Sequence, residues 1–276
     1  MDLNDEEELN ELYELLKNHY VEDTEGKFRF DYSTKFLSWS LNPPNREADW
    51  IIGVRAGDSK KLFGFISAIP VNMVVNGNEV LMAEVNFLCV HKKLREKRLA
   101  PLLIKEITRR VNCLNIWQAI YTSGATLPTP YGTAQYWHRN LNPKKLVDVK
   151  FSFKPSNQNM ALFIKVHKLP KETATEGLRQ MNENDVPKVT KAINAHLRAY
   201  HKVHITFTED EVMHFLMPRT DVIWSYLVED ADNNVTDFIS FYALNSQILG
   251  DSEHTHIMAA YAFYNFAKDN DNDRMK

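Results

Sequence analysis

The stretch from Glu84 to Leu103, E-V-N-F-L-C-V-H-K-K-L-R-E-K-R-L-A-P-L-L, constrains the fold more than any other. Its apolar first half reads as a buried strand, its middle as a basic turn, and its end as a helix that opens at Pro101, where a missing N–H costs little. A strand that stops where a helix starts leaves free backbone N–H groups at the junction, and the lysines and arginines around it add positive charge. Such a junction suits a small anionic ligand. Between His91 and Arg110 there are eight Lys and Arg against two Glu, in a 276-residue chain whose formal net charge is −3. The basic patch is therefore local, which argues against a general nucleic-acid binder.

The chain upstream reads as a feeder for this junction. Leu3, Leu9, Leu12, Leu15 and Leu16 recur near helical spacing among acids, which predicts an amphipathic helix over residues 3–18. Tyr20 to Tyr32 alternates aromatic and polar residues around Gly26, as a lid or a packed loop leading into an extended strand does. A short helix over Phe36 to Leu41 stops before Pro43-Pro44. Strands follow at Trp50 to Arg55 and Leu62 to Pro70 around an Asp58-Ser59-Lys60-Lys61 turn. Val71 to Val75 and Val80 to Val90 continue the meander through Asn76-Gly77-Asn78. After the helix Pro101 to Val111, strands are expected at Ile116 to Thr122, Leu146 to Phe153 and Ala161 to His167, with an irregular loop from Leu127 to Gly132.

Lys171 to Glu176 is a charged, unpatterned connector and marks a boundary, giving units 1–170 and 171–276. Beyond it come a strand at Leu178 to Met181, helices at Glu183 to His201 and Glu209 to Met217, and strands at Ile223 to Glu229, Thr236 to Ala243 and Ala259 to Phe266. Asp237 to Ala243 echoes Phe63 to Ile69 in pattern and place, so two related units are expected, the second incomplete and followed by a polar tail from Lys268.

A 44% hydrophobic, 25% charged composition is that of a globular protein, and no run approaches the ~18 apolar residues of a membrane span. The acidic N-terminus is no signal sequence, so a cytoplasmic protein is expected. Without a secretory signal, Cys89 and Cys113 read as free thiols. His196, His201, His204 and His214 lack a paired Cys or acidic ligand at regular spacing; they read as helix-surface residues, and no metal site is expected. By pattern alone, Phe87 to Val90 is ordinary core strand and Lys92 to Arg98 a solvated turn.

Three longer stretches, in order, say more. N-F-L-C-V-H-K-K-L-R-x-K-R-x-A-P, then L-I-x-E-I-T-R-R-V, then Y-W-H-R-x-L-N-P closely resemble the glycylpeptide N-tetradecanoyltransferase, or N-myristoyltransferase, family, over about Leu12 to Asn265. The resemblance implies an α+β protein of two GNAT-like (acyl-CoA N-acyltransferase) lobes related by a pseudo-twofold repeat, with mixed, mostly antiparallel sheets flanked by helices and an incomplete second lobe. It implies direct transfer of myristate from myristoyl-CoA, a co-substrate rather than a resident cofactor, to the glycine amine of N-terminal-glycine peptides and nascent proteins, by a monomer.

Carried over position by position, the resemblance puts the backbone donors for the reacting carbonyl oxygen at Phe87 and Leu88, and a hydroxyl beside the amine at Thr122. Cys89, Val90, Arg98, Leu99 and Ala100 match CoA-contacting positions, with Arg95 and Lys97 on the phosphates. Tyr20, Val21, Asp23, Phe28, Phe30, Tyr32, Asn86, Gly124, Tyr136, His138, Phe151 and Ser246 match the peptide groove. Cys89 is not expected to act as a nucleophile, because the family transfers without an acyl-enzyme. Glu96 stands where the family commonly has serine, and its charge opposes an anionic ligand. The family's terminal carboxylate base and its N-terminal CoA-capping segment have no counterpart in the sequence, which reads as truncated. A weakly active or inactive acyl-CoA and peptide-binding module is thus the competing expectation.

Overall fold

Long apolar runs need cover on both faces, and Leu62–Val75, the longest strand among the described residues, is buried over most of its length. The computed structural model describes residues 1–57, 60–125, 127–251 and 253–268. Helices α1 (Glu6–His19) and α2 (Thr34–Leu41) flank the short strand β1 (Phe28–Phe30). Strands β2 (Ile51–Arg55), β3 (Leu62–Val75) and β4 (Asn78–Val90) then lead through a 3-10 turn (Lys92–Lys97) into α3 (Leu99–Cys113). Next come β5 (Ala119–Ile120), α4 (Pro143–Asp148) and α5 (Met160–His167). The second half runs β6 (Arg179–Gln180), α6 (Val186–Tyr200), β7 (Val203–Ile205), α7 (Glu209–Leu216), β8 (Ile223–Glu229), β9 (Val235–Ala243), β10 (Ser246–Ile248), β11 (His256–Ile257) and β12 (Ala260–Phe266).

The expected antiparallel meander forms. In the first sheet, ordered β2-β3-β4-β5, β3 lies between β2 and β4, and the parallel strand β5 closes the far edge. Asn76 and Gly77 both have positive φ, 49° and 82°, as the tight turn between β3 and β4 requires. The second sheet, β12-β9-β8-β6, repeats the plan: β8, β9 and β12 pair antiparallel in succession as β2, β3 and β4 do, and β9 is central as β3 is. The echo of Phe63 to Ile69 in Asp237 to Ala243 is thus an echo of position in the sheet. Helix α3 lays Leu103, Ile107 and Val111 against Ile66, Ala68 and Ala83. A Cβ on Gly64 would sit 3.0 Å from the Leu99 side chain, so the missing side chain lets the start of α3 settle close to β3.

Several expectations need correction. Leu146 to Phe153 and Ala161 to His167 are not strands: helices α4 and α5 occupy this region. Asn142 caps α4, accepting from the Lys145 N–H with Pro143 in the first turn, and Asn159 caps α5, accepting from the Leu162 N–H. Leu62 to Val75 is one strand rather than two, and of Ile116 to Thr122 only Ala119–Ile120 pairs. Helix α3 begins at Leu99, two residues before Pro101, because the first helical N–H groups need no partner. His204 is a buried residue of β7 rather than a helix-surface one. The turn residues Asp58 and Ser59, and the tail from residue 269 on, lie outside the described residues.

Pairing between distant parts was not anticipated. β7 adds to the first sheet, Met73 to Val75 facing Val203 to Ile205, and β1 pairs with β10 in the sheet β1-β10-β11. α2 meets α7 through a reciprocal pair: Trp39 Nε1 donates to the His214 carbonyl at 3.2 Å, and His214 Nε2 donates to the Trp39 carbonyl at 2.7 Å. At the end of α1, the His19 ring lies 3.9 Å from that of His91 and accepts from the Lys92 N–H at 3.5 Å. Burial first, then His91, Lys92, Arg29 and Arg95, hold the His19 imidazole down at about 4. The unfolded chain takes up this proton nearer the usual histidine value of about 6.5, so stability present above that pH is lost as the solution is acidified toward about 4. In urea titrations over that range, His19→Gln is expected to lose less stability on acidification than the parent chain; equal slopes would place the acid sensitivity elsewhere.

Candidate functional site

The site is built on an irregularity in β4. Register with β3 runs from Ser67 opposite Asn86 to Phe65 opposite Cys89, so Phe87 and Leu88 together face the single residue Ile66. This is a β-bulge, and Phe87 has a left-handed backbone with φ 56°. A bulky residue in that conformation costs about 1–2 kcal/mol, so surrounding contacts must hold it. Rings of Tyr32 and Tyr20 lie 5.3 and 6.0 Å from the Phe87 ring, and the fully buried Ser67 hydroxyl donates to the Asn86 carbonyl at 2.9 Å. Cys89 and Val90, just past the bulge, are buried. Burial pushes the Cys89 thiol up to about 12, which agrees with an inert packing residue.

The basic turn follows directly. Arg95 Nη2 donates to the His19 carbonyl at 2.7 Å, tying the turn to the end of α1, and Lys92 pairs with Glu22. Lys97 and Glu96 are exposed, and Leu99 and Ala100 are half-buried. Arg98, with φ 57°, is the residue before α3 and makes no side-chain cap. The first N–H groups of α3 therefore point past the basic turn without a side-chain acceptor of their own.

On the other face of the first sheet lies a cleft of about 360 Å³ lined by Glu84, Asn86, Thr122, His201, His204, Tyr264 and apolar neighbours including Val71 and Met73. Asn86 and Thr122, foreseen from the sequence, meet here. Asn86 Nδ2 donates to Glu84 Oε1 at 3.0 Å, and burial, opposed by that hydrogen bond, raises the Glu84 carboxyl above its ordinary range. Gly124 follows Thr122 on exposed chain.

The remaining residues matched to a peptide groove in the sequence gather largely in linked aromatic groups. Tyr32 lies 5.9 Å from Tyr20, 5.7 Å from Phe30 and 5.0 Å from Phe36, and burial pushes the Tyr20 hydroxyl up to about 12. Phe151 lies 5.5 Å from Phe28 and 5.2 Å from His138. Tyr136 reaches 5.6 Å from Tyr261, itself stacked on Tyr242 at 5.0 Å. Ser246 sits opposite Phe30 in the β1–β10 pairing. Val21 is half-exposed and accepts from the Phe30 N–H, and Asp23 accepts from the N–H groups of Lys27 and Phe28 within its own turn. Sequence reasoning passed over Glu84, Tyr242, Tyr261 and Tyr264. Glu84 carried a signal, being an acid two residues before Asn86 and set between Val80 to Ala83 and Val85.

Among the described residues no cluster of three or more His, Cys, Asp or Glu could hold a metal ion, and no helix is long and apolar enough to cross a membrane.

Comparison with known proteins bears on the family and the fold. The N-terminal domain of the myristoyl-CoA:protein N-myristoyltransferases matches residues 1–134, and their C-terminal domain matches residues 148–276. Glycylpeptide N-tetradecanoyltransferase 1 of Arabidopsis thaliana is 54% identical over 267 residues, covering 96% of this chain and 61% of the relative. The Plasmodium falciparum glycylpeptide N-tetradecanoyltransferase is 46% identical over 264 residues, 96% of this chain and 64% of the relative. A crystal structure of Saccharomyces cerevisiae N-myristoyltransferase with bound myristoyl-CoA superposes with a TM-score of 0.91 at 41% identity, covering 98% of this chain and 62% of that one. The chain thus spans about three-fifths of the length of these relatives. With two domains of one family matched in order across nearly all its residues, and the same fold beneath them, the chain belongs to the myristoyl-CoA:protein N-myristoyltransferase family.

Proposed function

We propose that the chain transfers myristate from myristoyl-CoA to the N-terminal glycine amine of peptides and nascent proteins. The observation that carries this reading is the bulge at Phe87 and Leu88, which removes two adjacent residues from one-to-one pairing between the basic turn and the Asn86–Thr122 cleft. Attack on a thioester builds negative charge on the carbonyl oxygen, and fixed backbone N–H groups aimed there lower the barrier. Phe87 and Leu88 supply those donors in this reading. The amine loses a proton, its nitrogen bonds to the carbonyl carbon, the C–S bond breaks, and CoA leaves as the thiol.

The phosphates of CoA lie against Arg95, Lys97, Arg98 and the free N–H groups at Leu99 and Ala100, where the helix dipole adds to the side-chain charge. Cys89 and Val90 carry the adjoining wall. Thr122 and Asn86 meet the glycine amine, and the aromatic groups around Tyr32, Phe151 and Tyr136 receive the peptide, with Val21, Asp23, Gly124 and Ser246 along its path. The first lobe, 1–170, holds the acyl donor and the second, 171–276, completes the groove. The protein works in the cytoplasm as a monomer with no resident cofactor and no role for nucleic acid.

A glycine-initiated peptide mixed with myristoyl-CoA and the chain is expected to release free thiol and yield acylated peptide by mass spectrometry. Neither product above background would remove the proposal. Thr122→Ala is expected to lower kcat about tenfold, the worth of one hydrogen bond in the reacting state, while myristoyl-CoA still binds. A loss of acyl-CoA affinity instead would assign Thr122 to the donor site. Glu96→Ser removes a like charge beside the phosphates; about 1 kcal/mol of repulsion corresponds to roughly fivefold tighter binding. Calorimetric titration at low and high salt checks this, because the gain should shrink as ions screen it.

A further inference from the structure

Asn86 enters the cleft with a choice its own chemistry does not settle. A carboxamide carries an acceptor on one side and a donor on the other, and the two can exchange places by half a turn. Facing a protonated primary amine, which can only donate, the acceptor attracts and the donor repels. What decides between them must lie next to Asn86.

Glu84 is that neighbour. Two residues apart on one strand, Glu84 and Asn86 share a face of the sheet. Glu84 Oε1 accepts from Asn86 Nδ2 at 3.0 Å, and an ionised carboxylate can only accept. The main chain of Asn86 is held separately, by the Ser67 hydroxyl on its carbonyl oxygen, so the side-chain torsion is the freedom left to fix. The setting is otherwise unfavourable to a carboxylate. Glu84 pairs with Ile69 on one side and Ile120 on the other, and Val71, Met73 and Ile205 line the same cleft. Desolvating a charge there is costly, and Ala or Met at this position would pack with less penalty. His201 just after α6, His204 of β7 and Tyr264 of β12 line the same space.

We propose that Glu84 is a positioning residue: by accepting from Asn86 Nδ2 it turns the Asn86 carboxamide so that Oδ1 faces an incoming primary amine. This rests on the amine-binding role given to the cleft under the proposed function, and it adds the residue that sets the cleft's preference for a free amine over a blocked one. Glu84 itself need not touch the substrate.

The test compares an octapeptide beginning with glycine, amine free, with its N-acetylated counterpart, each titrated calorimetrically into the chain. Glu84→Met keeps the volume but offers no strong acceptor, and it is expected to lower the preference for the free amine at least tenfold. Glu84→Gln still presents a carbonyl oxygen to Nδ2 and is expected to keep the preference within about twofold, which a general loss of packing would not do. An unchanged preference in Glu84→Met overturns the proposal, and so does an equal loss in both variants, which would point to charge rather than orientation. Should Glu84→Met fail to fold, the side-chain amide resonances of Asn86, assigned through Asn86→Leu, decide on Glu84→Gln and the parent chain. A downfield amide proton in both supports the orientation, and its absence in the parent chain overturns it. Thiol release from myristoyl-CoA by the parent chain is measured alongside: its absence removes the transferase reading, whereas the amide resonances and the peptide preference judge Glu84 on their own.

Discussion

The backbone of Phe87 is the constraint on which the site depends. A bulky side chain in the left-handed region is unfavourable by itself, and local sequence cannot hold it there. The support comes from three other elements: Tyr20 at the end of α1, Tyr32 after β1, and the buried Ser67 of β3 on the preceding carbonyl. Removing the bulge would restore one-to-one pairing along β4 and shift every later side chain to the opposite face. Cys89 and Val90, now buried on opposite faces in the α1 and α3 clusters, would then exchange faces, and the basic turn would no longer meet α3 where Gly64 makes room for it. The strain at one residue thus sets the direction of the whole junction.

Electrostatics at the junction follow from the same arrangement. The basic turn resembles a solvated charge cluster when read alone, yet part of it is committed to the N-terminal helix. Arg95 satisfies the carbonyl of His19, one of the orphan acceptors at the end of α1, and Glu22 bridges Lys92 and Arg29. Those contacts hold the turn in place while Lys97 and Arg98 stay exposed beside a helix N-terminus. Two partly exposed ion pairs contribute little stability, so their effect here is geometric.

Much of this was legible in the residues because it is local. The helically spaced leucines of α1, the Asn76-Gly77 turn and the apolar run of β4 each announce an element through its own pattern or turn chemistry. The errors were of two kinds. Met160 to His167 is an apolar run too short for period to decide, and the deciding signal was the capping asparagine before it; Asn142-Pro143 carried the same message for α4. The other kind is not written locally at all. β7 is three residues long and becomes a strand only because β3 is there to receive it, and Ser246 to Ile248 becomes one between Phe28 to Phe30 and His256–Ile257. The motif wording named Asn86 and Thr122, whereas the hydrogen bond from Asn86 to Glu84 is visible only in the folded cleft.

The pairing of β1 with β10, and of Asp31 with His256 225 residues later in the chain, has a consequence for how the protein comes into being. Both β1 and the Met73–Val75 end of β3 emerge from a ribosome long before the strands that cover them. During that interval Phe28 and Tyr32 lack part of their final cover, the clusters that hold Ile248 and Ile257 and that hold Val222 and Ile223. At about 5–20 residues per second, the wait lasts on the order of ten seconds or more, long compared with helix formation and hydrophobic collapse. The nascent first half is therefore a client for whatever shields apolar surface during synthesis, and the sheet β1-β10-β11 forms late.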